Sequence, residues 1–504
     1  MKGIIERFKQ LFIENKTSII VTVLLSLCFN WIFITEGVMC PDAYSEGYDL
    51  YLNASWAGTL GRWALRYWNG LTHNVVILSF NYLISIVCIV VSSLMIIDML
   101  NLRNRWFSFL TMLSIALAPA VSYQYLYGYM EMAFAFGLLF SVLAVWLFVH
   151  NKNIFGALSL CLSLGSYQAY IGFAVTLILI ILVRRLNSNE NIKSILPDFA
   201  RYLFFGIAGC VLYILLNKIN LMIYGLQMAS YGGANQISIG HSISMLGDSI
   251  SKCYMATNKF VHYPNTFRYA AILVAGIFLC VLINRNSYLN KIIIIILIIL
   301  LPVAMNCVSI IAPDKSIAKQ MLHQMILVLP LLFVIVETMD INEKLVKYGS
   351  VFSIVICLIL CFEYGIINYC SHVTLNNAQK KVMSLMSTAI STAVSDENYG
   401  EDSVIFFAGV YDKEKLQEED PLSEFSIYHD DVVCWNYKGA VIYLYNEFSR
   451  DKLGYDLGTV SEADYDRIVN SEEFKQMPVY PAFGGMKRFD NIYVVKMEED
   501  PPLE

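Results

Sequence analysis

The sequence predicts a mainly α-helical, polytopic membrane protein with a small α/β domain at its C-terminal end. Of its 504 residues, 57% are hydrophobic and only 15% are charged, and the mean hydropathy is +0.55. Soluble domains carry about 25% charged residues, so this chain needs lipid as its solvent. Residues 1–370 hold 23 Lys/Arg against 16 Asp/Glu, whereas residues 371–504 hold 12 against 25. We therefore expect a membrane domain at 1–370 and an acidic, water-soluble domain at 371–504.

Apolar segments of membrane-spanning length recur throughout the first domain. A helix needs roughly 20 apolar residues to cross a hydrocarbon core of about 30 Å. By this criterion we expect about eleven spans. They lie near residues 17–36, 75–97, 106–121, 132–149, 154–166, 169–183, 202–224, 269–283, 292–312, 321–336 and 348–369.

The orientation of the spans follows from the basic residues in the short loops. Lys and Arg cluster before the first span and then in alternate loops. Because cytoplasmic loops carry the excess of Lys and Arg, the N-terminus is expected in the cytoplasm and the C-terminal domain outside it. Residues 1–16 have the pattern of a basic amphipathic helix, and no small-residue cleavage site follows the apolar core. We expect this segment to remain as a surface helix that continues into the first span.

The fifth and sixth spans form one apolar run, Ile154–Val183, between basic residues that should both be cytoplasmic. A single helix would place its two flanks on opposite sides of the membrane. Two short helices that meet at residues 165–168 keep both flanks inside, and they put a polar tip with Tyr167 and Gln168 near the outer surface. Irregular backbone at that depth must be buried in protein or line a wet cavity. The tip is thus either a self-sealed hairpin or the wall of a cavity.

Three carboxylates, Asp42, Glu46 and Asp49, follow the first span on the expected outer side. A carboxylate there can serve as a general base, because an acceptor hydroxyl must lose its proton as it attacks a sugar's anomeric carbon. Asp42 is our first choice because it lies nearest the span and follows Pro41, and Glu46 is the second. No CxxC motif or Cys/His cluster indicates a metal or redox site. A divalent cation could bind between the carboxylates, but nothing else in the sequence supports one. No cofactor is therefore expected.

The same outer loop, residues 37–73, also carries a pair of arginines. Arg62 and Arg66 are one helical turn apart, beside an aromatic face formed by Trp56, Trp63 and Tyr67. The guanidinium groups either reach lipid headgroups or bind the phosphate of a lipid-linked substrate, for which their geometry is suited.

Two further polar positions are expected on the outer side. Glu131 follows Tyr127 and Tyr129 at the end of the fourth span, where an ionisable residue is a functional candidate even though many such residues only face water. Lys319 and His323 open the tenth span four residues apart. They would share one helical face and could bind an anion. A histidine at a helix end is, however, more often a hydrogen-bonded structural residue.

Beyond residue 370 the pattern becomes that of a soluble domain. We expect helices near 373–394 and 440–449 and strands near 403–410 and 491–496. A further helix should begin at Ser461, with Asp464 three residues on in a capping-box-like arrangement. The domain has no phosphate-binding glycine loop and no nucleophile elbow. It is therefore expected to shape acceptor binding rather than to perform chemistry, and no nucleic-acid partner is expected.

The order of these features resembles the bacterial and phage serotype-converting O-antigen glucosyltransferases, Gtr type II. The resemblance extends over nearly the whole chain. After the acidic outer loop it rests on Gly61-Arg62-Trp63, Tyr129-Met130-Glu131, Ser166-Tyr167-Gln168, Met477-Pro478-Val479-Tyr480-Pro481 and Ile492-Tyr493-Val494-Val495-Lys496. Two features depart from the family pattern, namely the spacing of the first-loop carboxylates and a Glu at position 131 where the family commonly has Asp.

The resemblance implies a C-type glycosyltransferase fold in the cytoplasmic (inner) membrane. It implies transfer of a hexose, expected to be glucose, from a polyprenyl-phosphate carrier to a cell-surface glycan on the outer face. The first-loop carboxylate would be the base of an inverting displacement, and Glu131 would orient the acceptor or that base. Donor phosphate would be bound by Arg62, Arg66, Lys319 and His323, and the sugar cavity would be lined by Tyr127, Tyr129, Tyr167 and Gln168.

Two other functions remain open at this point. A transporter or flippase of lipid-linked sugar would also use arginines and a wet cavity, but the sequence shows no inverted repeats and few ionisable groups deep in its spans. A surface-glycan polymerase or ligase would share the topology and the lipid-phosphate substrate. It would differ in moving a whole oligosaccharide.

Overall fold

The computed structural model describes residues 2–45, 55–73, 75–230, 239–260, 264–314, 316–411, 420–426 and 432–503. The chain divides into two compact units. The first comprises Met1–Trp31 and Leu50–Ile366, and the second comprises Ile32–Asp49 and Ile367–Glu504. The second unit thus contains the C-terminal domain together with the segment that follows the first span.

The predicted fold class, a mainly α-helical polytopic protein, is confirmed. In the described part of the chain nine helices are long and apolar enough to cross a membrane, and two apolar helices, Asn153–Ser166 and His323–Glu337, are shorter. Each predicted span coincides with one of these helices. The nine long helices are Lys16–Glu36, Leu78–Leu100, Arg105–Tyr125, Glu131–Val149, Gln168–Asn187, Ile192–Tyr224, Thr266–Ile283, Tyr288–Met305 and Glu343–Val394.

Several of these helices contain breaks that have local causes. The third ends as an α-helix at Leu117 and resumes at Pro119, because the residue before a proline disfavours helical backbone. The tenth predicted span begins with two 3₁₀ turns, Lys319–Met321 and His323–Leu327, before the α-helix Val328–Glu337. A short helix, Val308–Ile311, precedes this region.

The last long helix differs from the prediction. The sequence pattern predicts a span at 348–369 and a separate soluble helix at 373–394, but one helix runs from Glu343 to Val394. No proline occurs between these residues, and the two glycines lie well before residue 370. Nothing in the local sequence therefore interrupts the backbone hydrogen bonds where the composition changes from apolar to polar.

The first unit is a helical bundle whose centre is the helix Glu131–Val149. This helix packs between Leu78–Leu100 and Asn153–Ser166, and Ile171–Asn187 packs against Tyr288–Met305. The helix Ile192–Tyr224 exposes a long row of apolar side chains on one side. Such a face is stable only in contact with lipid or another apolar surface. Its exposed residues include Leu203, Phe204, Ile207, Val211, Ile214, Leu215, Ile219, Met222 and Ile223.

The amphipathic N-terminal helix is confirmed as Lys2–Glu14, followed directly by Lys16–Glu36. Between the helices Ile192–Tyr224 and Thr266–Ile283 lie two further helices, Ile239–Ser244 and Leu246–Phe260, which together are called the cap. His241 in the first of these helices pairs with Asp314, with Nε2 and Oδ2 2.9 Å apart. This contact holds the cap against the segment that follows the helix Tyr288–Met305.

The second unit contains a three-stranded sheet in the order β1-β3-β2, formed by β1 (Val404–Ala408), β2 (Met486–Phe489) and β3 (Ile492–Lys496). β1 pairs parallel with β3, with Val404 opposite Ile492, and β2 pairs antiparallel with β3. The parallel pair requires a crossover connection. That connection contains the helices Lys438–Lys452, Glu462–Val469 and Glu472–Lys475.

Two strands and two helices of this unit match the prediction, and β2 was missed because it is a short, half-exposed strand. The predicted cap of the helix Glu462–Val469 is present, since the Ser461 hydroxyl accepts from Asp464 N at 3.1 Å.

The fully buried Lys496 Nζ in β3 donates to the Met477 carbonyl at 2.8 Å and pairs with Glu499 at 3.0 Å. A buried ammonium is stable only when paired in this way. Lys496 thereby joins the two C-terminal motifs.

Candidate functional site

The first outer loop is fixed against the polar tip by a glycine turn. Gly61 has φ +78°, and a Cβ there would lie 2.5 Å from Tyr213 Oη and 3.0 Å from Gln168 Nε2. Only glycine fits this backbone and this close approach. Gln168 Nε2 donates to the Leu60 carbonyl at 2.8 Å, and Tyr213 Oη donates to the Gly61 carbonyl at 3.2 Å. The turn that carries Arg62 is therefore held rigidly in place.

The polar tip has the predicted form of two helices with a break between them. The helix Asn153–Ser166 ends before Tyr167, which has extended backbone, and a 3₁₀ turn at Gln168–Tyr170 leads into Ile171–Asn187. The outer loop covers the break, because Ala64 N donates to the Gly165 carbonyl at 2.9 Å and Trp68 Nε1 donates to Ser166 Oγ at 2.8 Å. The tip is thus sealed partly by another segment rather than by its own hydrogen bonds alone.

Arg62 lies between this tip and the turn before the helix Glu131–Val149. Its Cζ is 5.0 Å from the centre of the Tyr167 ring, and its Nη1 donates to Met130 Sδ at 3.1 Å. A thioether is only a weak acceptor. The buried Nε has no hydrogen-bond partner in the described part of the protein, and no carboxylate there pairs with Arg62. The structure thus holds a half-buried cation in place without neutralising it.

The turn 127–130 is held by two asparagine side chains. Asn69 Nδ2 donates to the Tyr129 carbonyl at 3.1 Å, and Asn81 Nδ2 donates to the Gly128 carbonyl at 2.9 Å. Tyr129 is buried, whereas Tyr127 is half-buried and packs edge-to-face against Phe134. The structure therefore brings Arg62, the tip and this tyrosine turn together.

Glu131 begins the fourth span, as predicted, but its side chain is buried. It is 1% exposed and lines a cavity of about 10 Å³, which has room for roughly one water molecule. Both carboxyl oxygens are buried without a hydrogen bond of normal geometry, although Ser85 is a polar neighbour. A carboxyl group in this position cannot touch an acceptor in a wet cavity. Its proposed orienting role is therefore indirect.

The region of Lys319 and His323 also differs from the prediction. The two residues lie in separate 3₁₀ turns and do not share a helical face. His323 is 1% exposed; its Nε2 donates to the Ile115 carbonyl at 3.2 Å, and its Nδ1 lies 3.3 Å from Tyr170 Oη. Both ring nitrogens are occupied, so His323 is the hydrogen-bonded structural residue of the alternative interpretation. Lys319 is half-buried, with Nζ 5.8 Å from the centre of the Tyr123 ring.

Sequence reasoning missed three glutamines that form hydrogen bonds in this region, Gln124, Gln320 and Gln324. Gln124 Nε2 donates to the Gln320 carbonyl at 2.7 Å, and Gln320 Nε2 donates to Tyr127 Oη at 3.3 Å. Gln324 Nε2 donates to the Met305 carbonyl at 2.6 Å. Amide side chains at the ends of apolar helices were the available signal, because buried amides require partners.

The remaining candidates have other surroundings. The Arg66 guanidinium stacks on Tyr224, with Cζ 3.7 Å from the ring centre, so this cation has a structural partner. Asp42 belongs to the second unit, in the first turn of the helix Pro41–Ser45. Burial and then the charge of Asp42 raise the pKa of the Cys40 thiol well above its ordinary value. Glu46 and Asp49 lie outside the described residues.

Comparison with known proteins assigns the chain to a family. A family model described as glucosyl transferase GtrII matches residues 45–336, which is more than half of the 504-residue chain. No curated protein and no solved structure matches the chain. The matched range contains Glu46, Arg62, Glu131 and Lys319 but begins after Asp42, and the two C-terminal motifs of the resemblance lie beyond its end. No group of three or more metal-ligating residues occurs among the described residues. The chain belongs to the glucosyl transferase GtrII family and is a membrane glucosyltransferase.

Proposed function

We propose that the protein transfers glucose from a polyprenyl-phosphate carrier to a cell-surface glycan, such as an O-antigen, on the outer face of the cytoplasmic membrane. Membership of the glucosyltransferase family supports the reaction class. A lipid-phosphate donor is consistent with a chain that consists mostly of apolar helices, because such a donor is itself confined to the membrane. The acceptor class comes from the resemblance to the serotype-converting enzymes.

The observation that carries this proposal is that Arg62 has no carboxylate partner among the described residues. Burying part of a guanidinium without a carboxylate costs free energy, and such a group is retained where it will bind an anion. Its position on the Tyr167 ring limits the directions in which its N–H groups can point. Arg66 is stacked on Tyr224 and Lys319 lies beside Tyr123, so we assign the donor phosphate chiefly to Arg62, with Lys319 as the second cation.

The chemistry needs one base and one stabilised leaving group. The acceptor hydroxyl oxygen attacks the anomeric carbon, and its proton passes to a carboxylate. The bond from the anomeric carbon to the phosphate oxygen breaks, and that oxygen keeps the electron pair. Arg62 stabilises the resulting lipid phosphate, because a positioned cation binds the additional negative charge that develops on the leaving phosphate more strongly than the singly charged phosphodiester of the ground state. Attack from the opposite face inverts the anomeric configuration.

The base and the sugar contacts remain proposals from the sequence. Asp42 is the first candidate for the base, and Glu46 is the second. Tyr127 and Gln168 are half-buried and can line the sugar cavity, whereas Tyr129 and Tyr167 are buried and support the loop from below. We also propose that the N-terminus is cytoplasmic and that the C-terminal domain is outside, where it can bind the glycan acceptor.

A transfer assay with purified protein tests the proposal. Protein in detergent is incubated with polyprenyl-phosphate glucose and an O-antigen acceptor, and free carrier phosphate is measured. Arg62→Gln should raise the KM for the donor by about 10- to 100-fold, which corresponds to the loss of a charge-assisted hydrogen bond. Arg268→Gln is the matched control, since Arg268 is an exposed arginine on the same predicted side of the membrane.

The competing functions give different results in the same assay. A flippase would move the lipid-linked sugar without releasing carrier phosphate, and a polymerase or ligase would release carrier only from a lipid-linked oligosaccharide. An unchanged donor KM in Arg62→Gln, with normal folding, would remove the assignment of the phosphate site.

A further inference from the structure

The N-terminal helix Lys2–Glu14 forms the roof of an apolar groove on the side opposite the candidate site. Phe8 and Phe12 contribute the roof, Val91 and Met95 one wall, and Leu139 and Leu143 the other. The groove has a volume of about 670 Å³, which is in the ~300–1,000 Å³ range of small-molecule pockets. Its lining is almost wholly apolar, so it suits a hydrocarbon chain and not a sugar or a nucleotide.

The two walls change from apolar to polar in the same direction. Val91, Met95 and Asp98 succeed one another at intervals of four and three residues along the helix Leu78–Leu100, so they share one face. On the helix Glu131–Val149 the series Leu139, Leu143 and Trp146 has the same spacing. Trp146 Nε1 donates to Asp98 Oδ2 at 2.8 Å and joins the two series at the polar end.

The polar end of the groove carries an excess of positive charge. Asp98 is already paired with Arg7, with Nε and Oδ1 2.5 Å apart. Lys9 lines the groove itself and has no carboxylate partner among the described residues. Arg103 and Arg105 lie next to the same helix, in a neighbouring polar pocket whose three arginines, which include Arg7, outnumber its two carboxylates, Asp98 and Glu14. An amphiphile with a long apolar tail and a negative head matches this distribution at both ends.

We propose that this groove binds an anionic phospholipid of the cytoplasmic leaflet. One acyl chain lies along the Val91 and Leu143 walls, and the phosphate is bound by Lys9 at the rim. Basic residues near a membrane surface favour anionic headgroups over neutral ones. The bound lipid then fixes the N-terminal helix to the bundle, in addition to the ion pair between Arg7 and Asp98. This site is independent of the proposed donor site.

Native mass spectrometry of the full-length protein in mild detergent tests the proposal. After removal of loosely bound lipid, the protein is exposed to equal amounts of dioleoyl phosphatidylglycerol and dioleoyl phosphatidylcholine. We expect one phosphatidylglycerol to be retained preferentially. Val91→Trp fills the groove and should lower its retention by about tenfold, the effect of losing a well-packed apolar contact. Val211→Trp is the control, because it makes the same substitution at an exposed valine on the helix Ile192–Tyr224, outside the groove.

Two further variants separate lipid binding from misfolding. Leu143→Trp fills the groove from the opposite wall and should reproduce the loss seen with Val91→Trp. Lys9→Gln leaves the groove intact and should lower phosphatidylglycerol retention by about fivefold without changing that of phosphatidylcholine. Lys16→Gln, an exposed lysine outside the groove, should have no effect.

Three results would overturn the proposal. The first is equal retention of the two lipids by the wild-type protein. The second is an equal loss in Val211→Trp and Val91→Trp, because that loss would not depend on the groove. The third is displacement of phosphatidylglycerol by polyprenyl phosphate at low concentration, which would make the groove a carrier site rather than a phospholipid site.

Discussion

Single residues at the candidate site differ in what their surroundings allow them to do. Arg62 is a cation whose position is fixed by its contact with Tyr167 and that has no anionic partner among the described residues. Glu131 and His323 are buried and line one small cavity, where they can influence the reaction only through the position of other groups. The chemistry of a residue type is therefore a poor guide to its role until its exposure is known.

Our first prediction concerns the base. Asp42→Asn keeps the shape of the side chain and removes its charge, so we expect transfer to fall by on the order of 10² to 10⁴ while the donor still binds. Single-turnover transfer is measured together with donor retention in the same detergent. Glu46→Gln should be intermediate if that residue only supports the base.

The opposite ranking of these two variants would identify Glu46 as the base. Near-normal transfer by Asp42→Asn with an inactive Glu46→Gln would move the base by four residues along the same loop. That result would agree with the family match, which includes Glu46 and excludes Asp42.

At the scale of elements, one close helix contact of the bundle depends on Gly172. A Cβ at this position in the helix Ile171–Asn187 would lie 2.0 Å from the Met305 carbonyl oxygen of the neighbouring helix. Backbone atoms cannot move aside as a flexible side chain can. Gly172→Ala should therefore destabilise the protein by about 1–3 kcal/mol, as overpacking does.

A second glycine provides the matched control for this prediction. Gly206 is a helical glycine in the helix Ile192–Tyr224, and a Cβ added there would meet nothing within 4 Å. Gly206→Ala should be neutral or slightly stabilising, because alanine favours a helix over glycine. Thermal unfolding of both variants in detergent checks the comparison, and equal Tm values would show that the close contact is not tight.

The sheet of the second unit depends on the buried ammonium of Lys496. Lys496→Met keeps the length of the side chain but leaves the Met477 carbonyl without its donor, at a cost of about 1–3 kcal/mol. Hydrogen exchange of β3 in the full-length protein should become faster. Lys475→Met is the control, since Lys475 makes only an exposed pair with Glu472; the same acceleration in both variants would contradict the role of the buried bonds.

At the scale of the whole molecule, the arrangement of basic loops predicts the topology. With eleven spans and a cytoplasmic N-terminus, an alkaline phosphatase reporter fused after Glu504 should be active and a cytoplasmic fluorescent reporter in the same place should be dark. A fusion after Ser188, in a predicted cytoplasmic loop, should give the opposite pattern and serves as the internal control. An inactive phosphatase fused at the C-terminus would mean that the span count is wrong by one.

Periodicity and charge in the sequence determined the class of the protein, the position of each apolar helix and the break in the run Ile154–Val183. These properties depend on neighbours along the chain, because hydrogen bonds within a helix, lipid exposure and loop charge are local quantities. The capping of Ser461 and the strands β1 and β3 were predictable for the same reason.

Burial was decided only by the tertiary structure. Glu131 and His323 occupy ends of apolar helices, where a sequence cannot distinguish a residue that faces water from one covered by another segment. The glutamine network, the stacking of Arg66 on Tyr224 and the grouping of Asp42 with the C-terminal unit all join residues far apart in the chain. Their free energies depend on which surfaces meet, and that information is absent from any single segment.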